Sequence, residues 1–283
     1  MTPEALRLRP FHQVDVFSNQ PYRGNPLAVV VDAEGLSTET MQHFANWTNL
    51  SETTFLLPPT DPAADYKVRI FTASEKFPFA GHPTLGSAHT WLQSGGVPKT
   101  EGVLVQECGA GLVRVKHDAG RLAFAAPPLT RFGPVSDAER TQLAAGLRIS
   151  ESAIVDASWL VNGPQWIGVL LESADEVLAL DPDFVAMGDL KVGVIGPHEP
   201  GSAVDYEVRT FIPSDAMVED PVTGSFNAGA AQWLIGSGRA PEDYVAAQGT
   251  VLGRAGRIHV TVMDGDIWIG GASATCIEGS VLL

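Results

Sequence analysis

Glu52 is a lone carboxylate in "NLSETTFLLPP" (Asn49 to Pro59), set between a helical segment that ends in apolar residues and a run, Thr53 to Leu57, that reads as a buried strand. Two more proton-handling side chains, His82 in "FPFAGHPT" and Asp220 in "MVEDPVTGS", each stand just ahead of a stretch rich in Gly, Ala and Ser. A carboxyl at the rim of a core suits proton transfer at carbon, because partial burial makes it a competent base and, once protonated, a competent acid. The first turn of a helix offers unpaired N–H groups and a positive dipole end, a site for carboxylate or phosphate. Taken singly, each residue has a plainer reading. An acid at a helix-to-strand corner is usually solvated, a lone histidine is usually structural, and Pro83, Pro221, Thr223 and Ser225 serve well as helix starts and caps. The plainer readings do not predict that the arrangement occurs twice.

It does occur twice. "YKVRIFTASEKFPFAGHPTLGSAHTWLQSG" from Tyr66 is similar to "YEVRTFIPSDAMVEDPVTGSFNAGAAQWLIGSG" from Tyr206. Arg69 matches Arg209 and Phe71 matches Phe211, while a small register change brings Pro83, Gly86 and Ser87 onto Pro221, Gly224 and Ser225. In this alignment His82 and Asp220 hold matching places. "GNPLAVVV" from Gly24 parallels "GPQWIGVLL" from Gly163, and "GLVRVKHDAGRLAF" from Gly111 parallels "GRIHVTVMDGDIWIG" from Gly256. A duplication of about half the chain predicts two similar lobes, joined near "AAPPLTRFGP" where three prolines fall close together.

Each lobe reads strand, strand, helix, strand, then helix and hairpin. Ser37 is placed as a helix N-cap with Leu36 and Met41 as a hydrophobic staple, and "SDAE" from Ser136 forms a capping box. The segments after Pro83 and after Gly224 carry almost no charge, which predicts helices buried on all sides. Glycine is a poor helix former, so its use there predicts close approach of a surrounding sheet or of a ligand. A mixed sheet rolled around one central helix, twice over, meets these requirements: an α+β fold of two pseudo-symmetric lobes. The expected boundaries are 1–127 for the N-terminal lobe, completed by a C-terminal strand around 275–283, and 128–274 for the C-terminal lobe.

Composition narrows the function. The chain has 283 residues, 45% of them hydrophobic, enough to bury a sizeable core. Its 18 basic and 33 acidic residues give a net charge of −15, which argues against nucleic acid as a partner. No apolar run is long enough for a membrane span, and "MTPEALRLRPFHQVDVF" lacks the apolar core of a signal peptide, so a cytoplasmic protein is expected. Cys108 and Cys276 show no metal or disulfide pattern and are expected to be small buried thiols. "GTVLGRAG" fits neither nucleotide-binding loop and precedes a strand, so a tight turn is expected, with Arg254 at a lobe or subunit contact.

"NLSETTF", "FAGHPTLG", "EDPVTGS" and "QGTVLGRAGRIHV" resemble, in order and spacing, the motifs of the phenazine-biosynthesis isomerase (PhzF-like) family, which has the diaminopimelate epimerase-like fold. The resemblance runs from "DVFSNQPYRGNPLAVV" to the closing strands. It implies an active site between the lobes, exchange of the C-terminal strand, a homodimer, a small carboxylic acid as substrate, and no cofactor or metal. By motif, Glu52 takes the catalytic acid/base role, and Gly81, His82, Asp220, Gly224 and Ser225 hold the substrate. The second lobe offers Leu190 or Lys191 near the counterpart of Glu52. Racemases of this fold resemble a two-cysteine design, and neither Cys108 nor Cys276 lies at a helix mouth. Members commonly have a small residue or Ala-His after "TGS"; Phe226-Asn227 here adds bulk beyond the helix mouth and predicts a different pocket.

A single carboxylate suits an isomerisation in which a carbon-bound proton of a small cyclic or unsaturated amino or hydroxy acid is moved within the molecule. Two other readings stay open: an epimerase in which Glu52 works with His82 or Asp220 as the opposing acid, and a binding protein that holds a small carboxylate unchanged.

Overall fold

The computed structural model describes residues 6–118, 120–214 and 217–283. The first five residues of the expected N-terminal lobe, and Asp215 and Ala216 of the second repeat copy, lie outside them. Two compact units are present, one running up to Ala125 and taking in Gly270–Leu283, the other spanning Ala126–Ile269.

The first unit contains β1 (Leu8–Val16), β2 (Asn25–Val30), α1 (Thr38–Thr48), β3 (Glu52–Leu57), β4 (Tyr66–Phe71), β5 (Lys76–Phe77), α2 (Gly81–Gln93), β6 (Val103–Cys108), β7 (Gly111–Asp118) and β8 (Arg121–Ala125). The second contains β9 (Arg131–Pro134), α3 (Asp137–Leu147), β10 (Asp156–Val161), β11 (Gln165–Leu170), α4 (Ala174–Ala179), α5 (Phe184–Met187), β12 (Lys191–Pro197), β13 (Tyr206–Phe211), β14 (Glu219–Asp220), α6 (Gly224–Gly236), β15 (Asp243–Gln248) and β16 (Gly256–Met263). The division falls within β17 (Asp266–Gly271), and β18 (Ser273–Leu282) pairs antiparallel with the whole of β1.

The strands of both units are mixed in direction and share one pattern. In the first unit β1 to β2 is antiparallel, β2 to β3 parallel, β3 to β4 antiparallel and β4 to β6 parallel. In the second, β10 to β11, β11 to β12, β12 to β13 and β13 to β15 repeat that sequence. The composition of the central helices explains their place. Glycine lets α2 lie directly on the sheet: a Cβ at Gly86 would stand 2.5 Å from a Leu27 methyl and 2.9 Å from a Val16 methyl. Ser37 and Ser136 cap α1 and α3, the latter with its full capping box, and Leu36 and Met41 share one apolar cluster. "GTVLG" forms a short 3-10 turn bracketed by Gly249 and Gly253 in the left-handed region. Among the described residues no helix is long and apolar enough to cross a membrane.

Three expectations are corrected. The loop from β13 to β14 is longer by three residues than the one from β4 to β5, so strand pairing places Phe77 with Asp220, opposite Ile70 and Thr210, and α2 and α6 then start in step. His82 therefore corresponds to Ser225, not to Asp220. Phe226 adds no bulk at the helix mouth; it is fully buried against the Trp166 ring and fills the space left by Gly193. Cys108 and Cys276 are half-buried rather than buried, Cys108 because it closes the tight β6–β7 hairpin.

Candidate active site

Glu52 owes its position to a sharp change of direction. α1 ends at Asn49, which takes the left-handed conformation (φ 55°) that asparagine tolerates and donates its N–H to the Ala45 carbonyl. Three residues later the chain enters β3, with Glu52 directly opposite Leu27 of β2. Strand alternation then sorts the side chains. Phe55 joins the cluster beneath α1, whereas Thr54, on the same face as Glu52, accepts a hydrogen bond from Ser87 of α2 at 3.0 Å. That face carries Glu52 to the start of α2. Its side chain is only 14% exposed, so it is not the solvated corner residue that its neighbours in sequence suggest.

His82, the second residue of α2, lies against it: Nε2 is 3.5 Å from Glu52 Oε2, and the imidazole is 6% exposed. Burial pushes the ring down to about 3, against the opposing pull of its hydrogen bond to the Pro26 carbonyl, so it is neutral at pH 7. A carbonyl only accepts, and Nε2 makes no hydrogen bond, so the proton sits on Nδ1 and the Nε2 lone pair faces the carboxyl group. At 3.5 Å the contact is too long for a strong hydrogen bond.

The two central helices differ from the rest in how they begin. α1, α3, α4 and α5 are each capped by a serine or aspartate side chain, but α2 and α6 have no side-chain cap. Gly81 opens α2 from the extended Ala80, and no side chain occupies the amides of that first turn. In the second unit Thr223 is the N-cap residue, yet its hydroxyl donates instead to Asp220 Oδ2 at 2.5 Å. Gln248 fixes this corner: its amide N–H groups reach Thr210, Thr223 and the Asp220 carbonyl, and its oxygen accepts from the Thr223 amide and Asn227. Ser225 Oγ accepts from Trp166 Nε1 at 3.0 Å, and Gly224 starts the helix beside it.

The structure thus joins Glu52, Gly81 and His82 in the first unit, and Asp220, Gly224 and Ser225 in the second. Sequence reasoning missed the supports: the Pro26 carbonyl, Trp166, Gln106 and Gln248. Gln106 donates to Thr84 and accepts from Tyr66, as Gln248 serves the first turn of α6. The two glutamines are not repeat counterparts, since strand pairing sets Gln106 level with Ala246, so aligning the repeats could not have marked them. Among the described residues no group of three or more His, Cys, Asp or Glu stands together as a metal site.

The geometry has counterparts in known proteins. The sequence model of a family described as phenazine biosynthesis-like protein matches residues 14–279. A Schizosaccharomyces pombe protein called antisense-enhancing sequence 1 is 37% identical, the match covering 95% of this chain and 97% of that protein. A trans-2,3-dihydro-3-hydroxyanthranilate isomerase of Pseudomonas aeruginosa is 32% identical over 87% of each chain. The crystal structure of an Enterococcus faecalis protein of the PhzF family superposes with a TM-score of 0.81 at 27% identity, covering 98% of this chain and 100% of the other.

Proposed function

Since the chain belongs to the phenazine biosynthesis-like family of isomerases, we propose that Glu52 is its general acid/base and that its substrate is a small cyclic or unsaturated amino or hydroxy acid. The observation that carries this is the pair of Glu52 and His82: a carboxyl withdrawn from solvent, with a neutral imidazole nitrogen as its neighbour. A C–H bond next to an unsaturated, electron-withdrawing group breaks. The proton goes to Glu52, and the electron pair moves into the adjacent unsaturation. Protonated Glu52 can donate to His82 Nε2 while the substrate anion persists, then returns the proton to a different carbon, so the product is an isomer and the enzyme is restored. The Gly81 amide, with Asp220, Gly224 and Ser225 in the second unit, is assigned to holding the substrate's polar groups. The dihydro-hydroxyanthranilate of the Pseudomonas relative is an acid of this kind.

The test is exchange of carbon-bound hydrogen with heavy water, followed by NMR over a panel of small cyclic amino and hydroxy acids, with no added cofactor or metal. Wild-type protein should exchange or relocate hydrogen in at least one acid. Glu52→Gln should bind that acid and lose turnover by at least about a hundredfold. Full activity in Glu52→Gln would overturn the assignment. Inversion of one stereocentre would favour an epimerase, and binding without exchange would favour a carboxylate-binding protein.

A further inference from the structure

We propose that the first unit carries a second ligand site, on the outer face of β3 to β5, for a phosphate group. Lys67 and Arg69 alternate along β4 and so share one face, and Lys76 of β5 joins it because it pairs opposite Phe71. These cations line a cavity of about 760 Å³, together with Thr38 and Thr60 and with Glu34.

The duplicated fold shows what this arrangement lacks. In the second unit Arg209 is buried and clasped through two hydrogen bonds, 2.9 and 2.8 Å long, by the carboxylate of Glu219. Glu219 stands opposite Phe211, which is the place of Lys76 opposite Phe71. The same backbone positions therefore hold an arginine with its carboxylate in one unit and an arginine with a lysine in the other. Arg69 lies over the Phe71 ring and donates to Thr38 Oγ1, a neutral partner. Lys67 is already committed to Glu107, whose carboxyl burial would push up but which the Lys67 ammonium, the Thr60 hydroxyl and the amides of Asp61 and Thr60 hold down at about 2. Glu34 forms no ion pair with Arg69 or Lys76 among the described residues. Burial pushes both of these cations down, and Lys76 further through the charges of Arg69 and Lys67. In a chain of net charge −15, two like charges that face one cavity, neither in an ion pair with a carboxylate among the described residues, call for an anion from outside. A guanidinium, an ammonium and the Thr38 hydroxyl, which accepts from Arg69 and keeps its own proton to donate, suit a tetrahedral oxyanion of two charges better than a monocarboxylate.

The experiment follows thermal unfolding and calorimetric binding of the full chain at fixed ionic strength, with chloride exchanged for inorganic phosphate, for glycerol phosphate or for acetate. Phosphate at about 10 mM should raise Tm saturably and acetate should not, the rise following mass action. Tighter binding of glycerol phosphate than of inorganic phosphate would identify a phosphorylated small molecule as the ligand, and equal binding free phosphate. Lys76→Glu installs in the first unit the ion pair of the second; it should unfold at or above the wild-type temperature in chloride and lose the phosphate response. Lys76→Gln, which adds no pair, should weaken phosphate binding about tenfold or more. Glu52→Gln should respond to phosphate like wild type, since this site is independent of the isomerase reading. A wild type that responds equally to phosphate and chloride, or a Lys76→Glu or Lys76→Gln protein that keeps the full response, would overturn the proposal.

Discussion

Lys191 holds in the second unit the place that Glu52 holds in the first. Each opens a strand that runs parallel to its neighbour, Glu52 opposite Leu27 and Lys191 opposite Trp166. Of the two residues suggested by sequence, Leu190 and Lys191, strand pairing selects Lys191. The duplication has kept the backbone position and changed its chemistry, so one unit supplies the carboxylate and the other a cation.

That difference is testable. Lys191→Met should leave hydrogen exchange unchanged, and Glu52→Gln combined with Lys191→Glu should stay as inactive as Glu52→Gln alone. Recovery of exchange in the double variant would show that either position can serve.

His82 makes stability depend on acid. Its ring takes a proton near pH 6.5 in the unfolded chain but only near 3 in the folded one, so between these values the unfolded chain holds more protons. The stabilisation is fully present above about pH 6.5 and is lost as pH falls towards 3, at up to about 1.4 kcal/mol per pH unit. Denaturant unfolding from pH 4 to 7 should show a shallower slope in His82→Asn than in wild type. Identical slopes would contradict the buried neutral ring.

Gly193 and Phe226 should behave as a coupled pair. A Cβ at Gly193 would stand 2.1 Å from a carbon of the Phe226 ring, so Gly193→Ala should destabilise the protein by about 1–3 kcal/mol. Phe226→Leu in the same chain should recover part of that loss, a coupling of about 1 kcal/mol in a double-mutant cycle. Strict additivity would show that Phe226 does not fill the space.

Removing Ser273–Leu283 should lower Tm and promote aggregation. β18 covers β1 from Leu8 to Val16, and Thr275 bonds His89 at 3.0 Å and Gln93 at 2.5 Å on α2. Its loss exposes an open sheet edge and frees one side of the central helix. A truncated protein that melts like the full chain would exclude this role.

Much of the architecture was legible because it rests on local rules. The capping serines Ser37 and Ser136 and the small-residue stretches around Gly86 and Gly229 mark which helices lie at the surface and which are enclosed. The short helices α4 and α5 escaped notice, since each has one or two turns and little periodicity. The register of the repeat was misjudged because prolines and glycines in "AGHPTLGS" and "EDPVTGS" align by type, whereas the backbone aligns Phe77 with Asp220. At the candidate site, residue types were readable but not their environments. No sequence rule says that Asn49 turns the chain so that Glu52 meets His82, or that Thr223 gives its hydroxyl to Asp220 rather than to its helix.

The return of β18 to β1 has a consequence for synthesis. The second unit is continuous in sequence and is inserted within the first, which regains its last strand only after that insertion has been translated. On the ribosome the middle of the chain can complete its fold while the earlier part waits with β1 unpaired on one side. During that interval the sheet that carries Glu52 two strands further in ends at an open β1 edge, so the first unit is the part of the nascent protein exposed to strand-edge association.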